Sequence, residues 1–391
     1  MSDDRHTTHD REVADDRRAR RYARVQLWLG GASLVTTACF LVLILVTGAA
    51  RELADRVAQL TSVPALQVAL VTAALGAATA VLTFPLGWVR GYWLLRRYGL
   101  LHQSFGGWLR DRAKAAAIGS VLALGGVEVI YALLRVTDWW WLVAAGVFFV
   151  VYMAMAAIFP IWLLPLFYRL TPLDDAALRE RLLALAAHVG VPVVGVWVAD
   201  QSRRSRTANA ALTGLGRTRR IILFDTLVRE FTPDEIESVL AHELGHHVHG
   251  DVRRGLVAQG VFTVLTFGLA DIALRAGVRL WSLSGPADPA GMPWLSLVLM
   301  ALGLVAAPGA NGLSRWIERQ ADDFALATTQ NPASFIGAME RLAALNLAER
   351  KPSRLEEILL YSHPAIARRI ARAERHRLHA RTAPPAAPCV I

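Results

Sequence analysis

Six long apolar segments constrain this chain more than any other feature of its sequence. They cover residues 27–50, 64–89, 115–134, 139–167, 256–274 and 294–310. About 20 helical residues cross the roughly 30 Å hydrocarbon core of a bilayer, and each segment is of that order. Charged residues make up only 19% of the 391-residue chain, against about 25% in soluble domains. We therefore predict a mainly α-helical polytopic membrane protein with about six transmembrane helices.

The basic residues predict the orientation of these helices. Seven arginines precede the first segment and six basic residues lie between the second and the third, whereas the opposite loops hold few. Basic residues near the ends of spans are retained in the cytoplasm, so both termini are predicted to be cytoplasmic, although Arg275 and Arg279 run against this rule. The net charge of +10 is thus interpreted as an orientation signal and as attraction to anionic lipid, with no nucleic-acid partner.

Two polar segments lie outside the predicted spans, on the predicted cytoplasmic side, and the candidate catalytic residues are expected in them. The first is expected to contain a helix after Pro172 and strands at 191–198 and 220–224, because apolar residues recur at helical spacing and then alternate. The predicted organisation is a basic tail at 1–24, four spans within 25–168, a polar segment at 169–255, two spans within 256–310, a polar segment at 311–382 and a disordered tail at 383–391.

The first polar segment contains the pattern H-E-x-x-H at residues 242–246. Thr232 begins a capping box ten residues earlier, which predicts a helix through the pattern. His242 and His246 are four residues apart, so they share one helix face and can bind a single zinc ion, while Glu243 is placed to act as a general base. The alternative is a polar helix face whose histidines are solvated.

A third zinc ligand is expected from a separate element, since catalytic zinc has three protein ligands. Glu318 and Asp322 follow the sixth apolar segment and are four residues apart. Glu318 can bind the metal, and Asp322 can accept the free N–H of a ligand histidine. Spacing alone leaves open an exposed charged helix with i,i+4 ion pairs.

Several blocks in order resemble the integral-membrane zinc endopeptidases of the type I CAAX prenyl protease group and their bacterial heat-shock membrane relatives. The blocks are YGLLHQSFGGWLRD at 98–111, PLFYRLTPL at 165–173, NA at 209–210, RIILFDTL at 220–227, HELGH at 242–246, SR at 314–315 with AD at 321–322, and SHP at 362–364. The resemblance extends over about two-thirds of the chain. It implies a zincin-like catalytic part with a small β-sheet and one Zn²⁺ per chain.

The resemblance also assigns roles to individual residues. It implies that His242, His246 and Glu318 bind zinc and that Glu243 is the base and proton shuttle. Asn209 and Ala210 would lie on an edge strand that pairs with an extended substrate, and His363 and Arg369 would stabilise the oxyanion.

The predicted function is that of a zinc metalloendopeptidase at the cytoplasmic membrane face, with a peptide or membrane-protein substrate and the lipid bilayer as partners. Six spans depart from the seven of the eukaryotic prenyl proteases, and arginine-rich usage suggests a bacterial inner membrane, where prenylated substrates are not expected. Alternatives are a broad-specificity quality-control protease and a transporter or scaffold with a vestigial metal site. Oligomeric state stays open, as do the roles of Glu128 and Asp271, which fall within predicted spans.

Overall fold

The computed structural model describes residues 3–158, 162–214, 216 and 219–382. Within them the chain forms fourteen α-helices: α1 (Asp3–Val46), α2 (Ala49–Leu60), α3 (Pro64–Trp88), α4 (Leu94–Arg97), α5 (Phe105–Val136), α6 (Trp140–Ile158), α7 (Ala176–His188), α8 (Asp225–Glu230), α9 (Pro233–Val248), α10 (Asp251–Leu280), α11 (Met292–Thr329), α12 (Pro332–Asn346), α13 (Arg354–Leu360) and α14 (Ile366–Thr382). The strands are β1 (Leu170–Pro172), β2 (Val196–Ala199), β3 (Ala210–Thr213) and β4 (Arg220–Phe224). The predicted disordered tail at 383–391 lies outside the described residues.

The prediction of a mainly α-helical polytopic protein is confirmed. In the described ranges, six helices are long and apolar enough to cross a membrane: Asp16–Val46, Pro64–Arg97, Phe105–Val136, Trp140–Ile158, Asp251–Leu280 and Pro289–Thr329. Each overlaps one of the six apolar segments. By contacts, the chain divides into two units: Met1–Ala23, Pro160–Val252 and Pro308–Ile391 form the first, and Arg24–Phe159 and Arg253–Ala307 form the second.

Several helix ends differ from the sequence prediction. The predicted tail at 1–24 is helical from Asp3 and continuous with the first span. Helix α11 continues without a break to Thr329, although it contains Pro308 and turns polar near Asn311. A change from apolar to polar composition does not end a helix when strong helix-forming residues follow. Helix α6 is described over Trp140–Ile158, and residues 159–161 of the predicted segment 139–167 lie outside the described residues.

The second unit has its own apolar core, which includes Tyr131 and Trp140. Trp140 Nε1 donates a 2.6 Å hydrogen bond to Asp271, and Asp271 forms an ion pair of 2.9 Å with Arg275 one turn later. This arrangement favours a structural role for Asp271, as the ion-pair partner of Arg275, over a role in lining a water-filled chamber. Glu128 has one buried carboxylate oxygen without a hydrogen bond in the described part of the chain.

The first unit contains a four-stranded mixed sheet with the order β1-β2-β4-β3. β2 and β4 are parallel, and the outer strands pair antiparallel to them. The predicted strand at 191–198 is observed only over Val196–Ala199, and the sequence reading missed β1. That strand has three residues and ends in a proline, which is tolerated only at the edge of a sheet.

Helices α7 and α9 pack on the sheet of the first unit, and α12 packs against α9. Leu182, Leu223, Leu240 and Phe335 are almost fully buried where these elements meet. Each buried side chain of this size contributes about 1.5–3 kcal/mol relative to an exposed one. This core fixes α9, and with it the H-E-x-x-H pattern, against a rigid support.

Candidate metal centre

The first turn of α9 has the capping box that its sequence predicts. Thr232 Oγ1 accepts a hydrogen bond from the backbone N–H of Glu235, and the Glu235 carboxylate accepts one from the N–H of Thr232 at 2.8 Å. Glu235 is also held by an ion pair with Arg341. At the other end, Gly250 adopts φ 68°, a left-handed conformation that suits glycine, and α10 begins directly afterwards.

The structure brings His242, His246 and Glu318 together. One ligand atom from each lies within 4.8 Å of the other two. Glu318 Oε2 is 3.2 Å from His242 Nε2, and Glu318 Oε1 is 3.7 Å from His246 Nε2. The exposed-helix alternative for Glu318 therefore does not describe this residue, which is buried.

Both histidines are oriented by a buried carboxylate on the other side of the ring. His242 Nδ1 is 3.0 Å from Asp322, which is 1% exposed, and His246 Nδ1 is 3.0 Å from Asp251. A carboxylate accepts the hydrogen bond, so Nδ1 carries a proton, and Nε2, the nitrogen that faces Glu318, is the atom available to a metal. Two imidazole nitrogens and one carboxylate oxygen are a donor set that suits zinc. These residues fit the metal that the sequence predicts.

The sequence did not predict that Asp251 contributes to the metal site. It follows His246 by five residues and lies beyond the left-handed Gly250, so helical spacing does not place it beside the ligand. The available signal was an acidic residue at the start of α10, directly after a glycine that ends α9.

Arg369 is buried beside His242. Its Nε and Nη2 atoms donate two hydrogen bonds to Asp322, at 2.9 and 2.5 Å, and Nη2 lies 3.3 Å from His242 Nδ1. Arg369 thus contacts both Asp322 and His242, and its predicted role towards an oxyanion stays a prediction.

His363 lies on the solvent side of the cluster. Its side chain is 61% exposed, and its Nε2 atom is 3.2 Å from Glu318 Oε1. An exposed N–H donor beside a ligand carboxylate is placed to contact a substrate.

The loop that carries His363 is fixed by buried polar contacts. Arg315 donates hydrogen bonds to the backbone carbonyls of Glu357 and Tyr361. The Glu357 carboxylate accepts the N–H of Ala365 at 3.2 Å. These contacts hold the loop from both ends, so Arg315 and Glu357 support the position of His363.

Glu243 follows His242 directly in the sequence, and its side chain is half-buried. Burial raises the pKa of its carboxyl, and the neighbouring His242 and His246 oppose that rise. A carboxyl with a raised pKa is suited to accept a proton and return it in one reaction cycle.

The predicted substrate strand is an edge of the sheet. Ala210 is the first residue of β3, and the carbonyl of Asn209 accepts a 3.0 Å hydrogen bond from the N–H of Phe224 in β4. Among the described residues, the other side of β3 has no strand partner. This strand packs against α9, the helix that carries both histidines of the metal cluster.

Gly245 allows α9 and α11 to approach closely. A methyl group at this position would lie 3.2 Å from the Ala321 backbone and from the side chain of Phe324. Because α11 carries Glu318, this contact sets the distance between the third carboxylate and the histidines.

We expect Gly245→Ala to lower stability by about 1–3 kcal/mol, the usual cost of overpacking, and to reduce the bound metal per chain. Thermal denaturation and metal analysis of the purified protein measure both effects. Gly255→Ala is the control, since a methyl group there meets no atom within 4 Å. Equal melting temperatures for the two variants would show that the close contact between α9 and α11 does not require glycine at position 245.

Comparison with known proteins gives two family matches. The model of peptidase family M48 matches residues 172–377. A model described as the CAAX prenyl protease N-terminal region with five membrane helices matches residues 10–169, a stretch that holds four of the six candidate spans found among the described residues.

Individual relatives and a solved structure agree with these matches. The uncharacterized metalloprotease YhfN of Bacillus subtilis is 30% identical over 76% of this chain and 71% of its own length. CAAX prenyl protease 1 of Saccharomyces cerevisiae is 33% identical over 50% of this chain, and the match spans 44% of that protein. The crystal structure of S. mikatae Ste24p superposes with a TM-score of 0.81 at 25% identity, covering 92% of this chain and 89% of that one.

Proposed function

Because this chain belongs to peptidase family M48, we propose that it is a zinc endopeptidase that cleaves peptide bonds at the cytoplasmic face of a bacterial inner membrane. Family membership shows that it is a multi-pass membrane metalloprotease, and this decides against the transporter or scaffold alternative. The identity of the metal, the residue roles and the orientation with both termini in the cytoplasm belong to the proposal.

One zinc ion per chain would be held by His242, His246 and Glu318. The observation that carries this assignment is the pairing of both Nδ1 atoms with buried carboxylates, which leaves each Nε2 facing Glu318. When bound, zinc would polarise the scissile carbonyl and make the attacking water more acidic.

The protein's own side chains handle the protons and the developing charge. Glu243 accepts the proton of the attacking water and delivers it to the leaving amine, which its raised pKa favours. His363 donates a hydrogen bond to the oxygen on which negative charge develops; one such donor is worth about 3 kcal/mol. Arg369 keeps Asp322 ionised and thereby holds the ring of His242.

An extended peptide would bind by adding a strand to β3. The predicted residues Asn209 and Ala210 stand at the beginning of this edge, and main-chain pairing tolerates many sequences. This tolerance supports the broad-specificity alternative, in which the substrate is a damaged membrane protein. The lipid bilayer holds both enzyme and substrate.

Removal of the metal is expected to abolish cleavage. Two peptides of one sequence, farnesylated and unprenylated, serve as substrates for the purified protein in detergent. Treatment with 1,10-phenanthroline should reduce both rates to background, and added Zn²⁺ should restore them, because free Nε2 atoms without metal cannot polarise a carbonyl. Cleavage that persists in metal-free protein would contradict the proposal, and the ratio of the two rates separates prenyl-peptide cleavage from broad specificity.

A further inference from the structure

A cavity of about 320 Å³ lies between α11, α13 and α14 in the first unit. Its charged lining is dominated by one residue type. Six arginines face it, Arg319, Arg354, Arg368, Arg369, Arg372 and Arg375, together with the carboxylates of Asp322 and Glu357. The α14 arginines thus form part of a concave site as well as a basic helix face.

Half of these arginines are neutralised by carboxylates. The pairs are Arg369 with Asp322, Arg368 with Glu357 at 3.1 Å, and Arg372 with Asp323. Within the described ranges, the side chains of Arg319, Arg354 and Arg375 form neither a hydrogen bond nor an ion pair. Among the residues that the structure describes, these three positive charges of the cavity therefore have no counter-charge.

Three uncompensated guanidinium groups around one cavity repel each other unless an anion lies between them. A guanidinium presents two parallel N–H donors that match the oxygens of a phosphoryl group. The volume lies at the lower end of the range for ligand sites, about 300–1,000 Å³, and suits a small headgroup. Helices supply all three arginines, with α11 and α14 fixed through the buried Asp322–Arg369 pair.

We propose that this cavity is a binding site for a phosphomonoester or phosphodiester group, held by Arg319, Arg354 and Arg375. The group comes either from a soluble phosphate compound or from the headgroup of an anionic lipid. The same cavity is lined by Asp322 and Arg369, so the bound anion lies against the pair that supports His242.

The test uses full-length, zinc-loaded protein in phosphatidylcholine nanodiscs at physiological ionic strength. Glycerol phosphate is titrated by isothermal calorimetry into the wild type and into the double variant Arg354→Gln/Arg375→Gln. The matched control is Arg21→Gln/Arg377→Gln, which removes the same charge at exposed arginines that do not line the cavity. Melting temperature and zinc content confirm that both variants are folded.

We expect the wild type and the control to bind one glycerol phosphate per chain, and the cavity variant to bind at least about tenfold more weakly. In nanodiscs that contain phosphatidylglycerol, loss of glycerol phosphate binding identifies the lipid headgroup as the occupant, and unchanged binding identifies a soluble anion. Equal affinities for the two double variants, or no binding by the wild type in phosphatidylcholine, would overturn the proposal.

Discussion

Replacement of Glu243 by glutamine is expected to lower kcat by a factor of about 10² to 10⁴, the usual contribution of a general acid–base group, while the zinc content stays unchanged. Glutamine keeps the size of the side chain but cannot accept a proton from water. The two histidines and Glu318 remain in place, since Glu243 forms no part of the three-residue cluster. Cleavage rates and metal analysis on the same preparation measure both quantities.

Glu237→Gln provides a matched control on the same helix. Its side chain is paired with Arg181 on the surface of the first unit, so its loss should leave kcat within about twofold of the wild type, as expected for a surface ion pair. If Glu243→Gln cleaved as fast as Glu237→Gln, Glu243 would not be the base. Loss of zinc from Glu243→Gln would instead make it a structural part of the metal site.

Asp322→Asn is expected to weaken zinc binding by about 10- to 100-fold, as is usual when the partner of a ligand histidine is removed. It should also lower the free energy of unfolding by about 3–5 kcal/mol, because it leaves the buried Arg369 guanidinium without its counter-charge. Both partners of this pair are almost inaccessible to solvent. Zinc competition with a chelator and chemical denaturation of the purified protein measure the two effects.

The adjacent residue offers the control. Asp323 pairs with Arg372 but has half of its side chain exposed, so Asp323→Asn should cost at most about 1 kcal/mol and leave zinc binding intact. Asp251→Asn applies the same test to the other histidine, because Asp251 holds His246. It should also weaken zinc binding by about 10- to 100-fold. Indistinguishable zinc affinities for the Asp322 and Asp323 variants would show that orientation of His242 does not matter.

Local sequence signals predicted the parts of the site that depend on one helix. The capping box at Thr232 and the four-residue spacing of His242 and His246 specify a helix face directly, and the structure contains both. The six spans were also predicted from local signals, since the length and hydropathy of each segment suffice to identify it. The same holds for β4, whose consecutive apolar residues Ile221 to Phe224 favour a buried strand.

Contacts between distant elements could not be predicted from spacing. The sequence left two interpretations of Glu318 open, a metal ligand and an exposed residue. Glu318 lies beside the histidines only because α11 approaches α9 closely at Gly245. The contact of Arg369 with Asp322, which depends on the docking of α14 against α11, was not predicted either. Asp251 was not predicted, because the turn at Gly250 lies between it and His246 and helical spacing therefore does not relate the two residues.

Anomalous diffraction at the zinc absorption edge, on crystals of the purified wild-type protein, tests the proposed metal centre most directly. We expect one peak per chain, within bonding distance of His242 Nε2, His246 Nε2 and a Glu318 carboxylate oxygen, at about 2.0–2.2 Å from each. The peak should vanish in His246→Ala. A zinc peak elsewhere, or fully active crystals without zinc at these three residues, would contradict the assignment of this cluster as the catalytic metal centre.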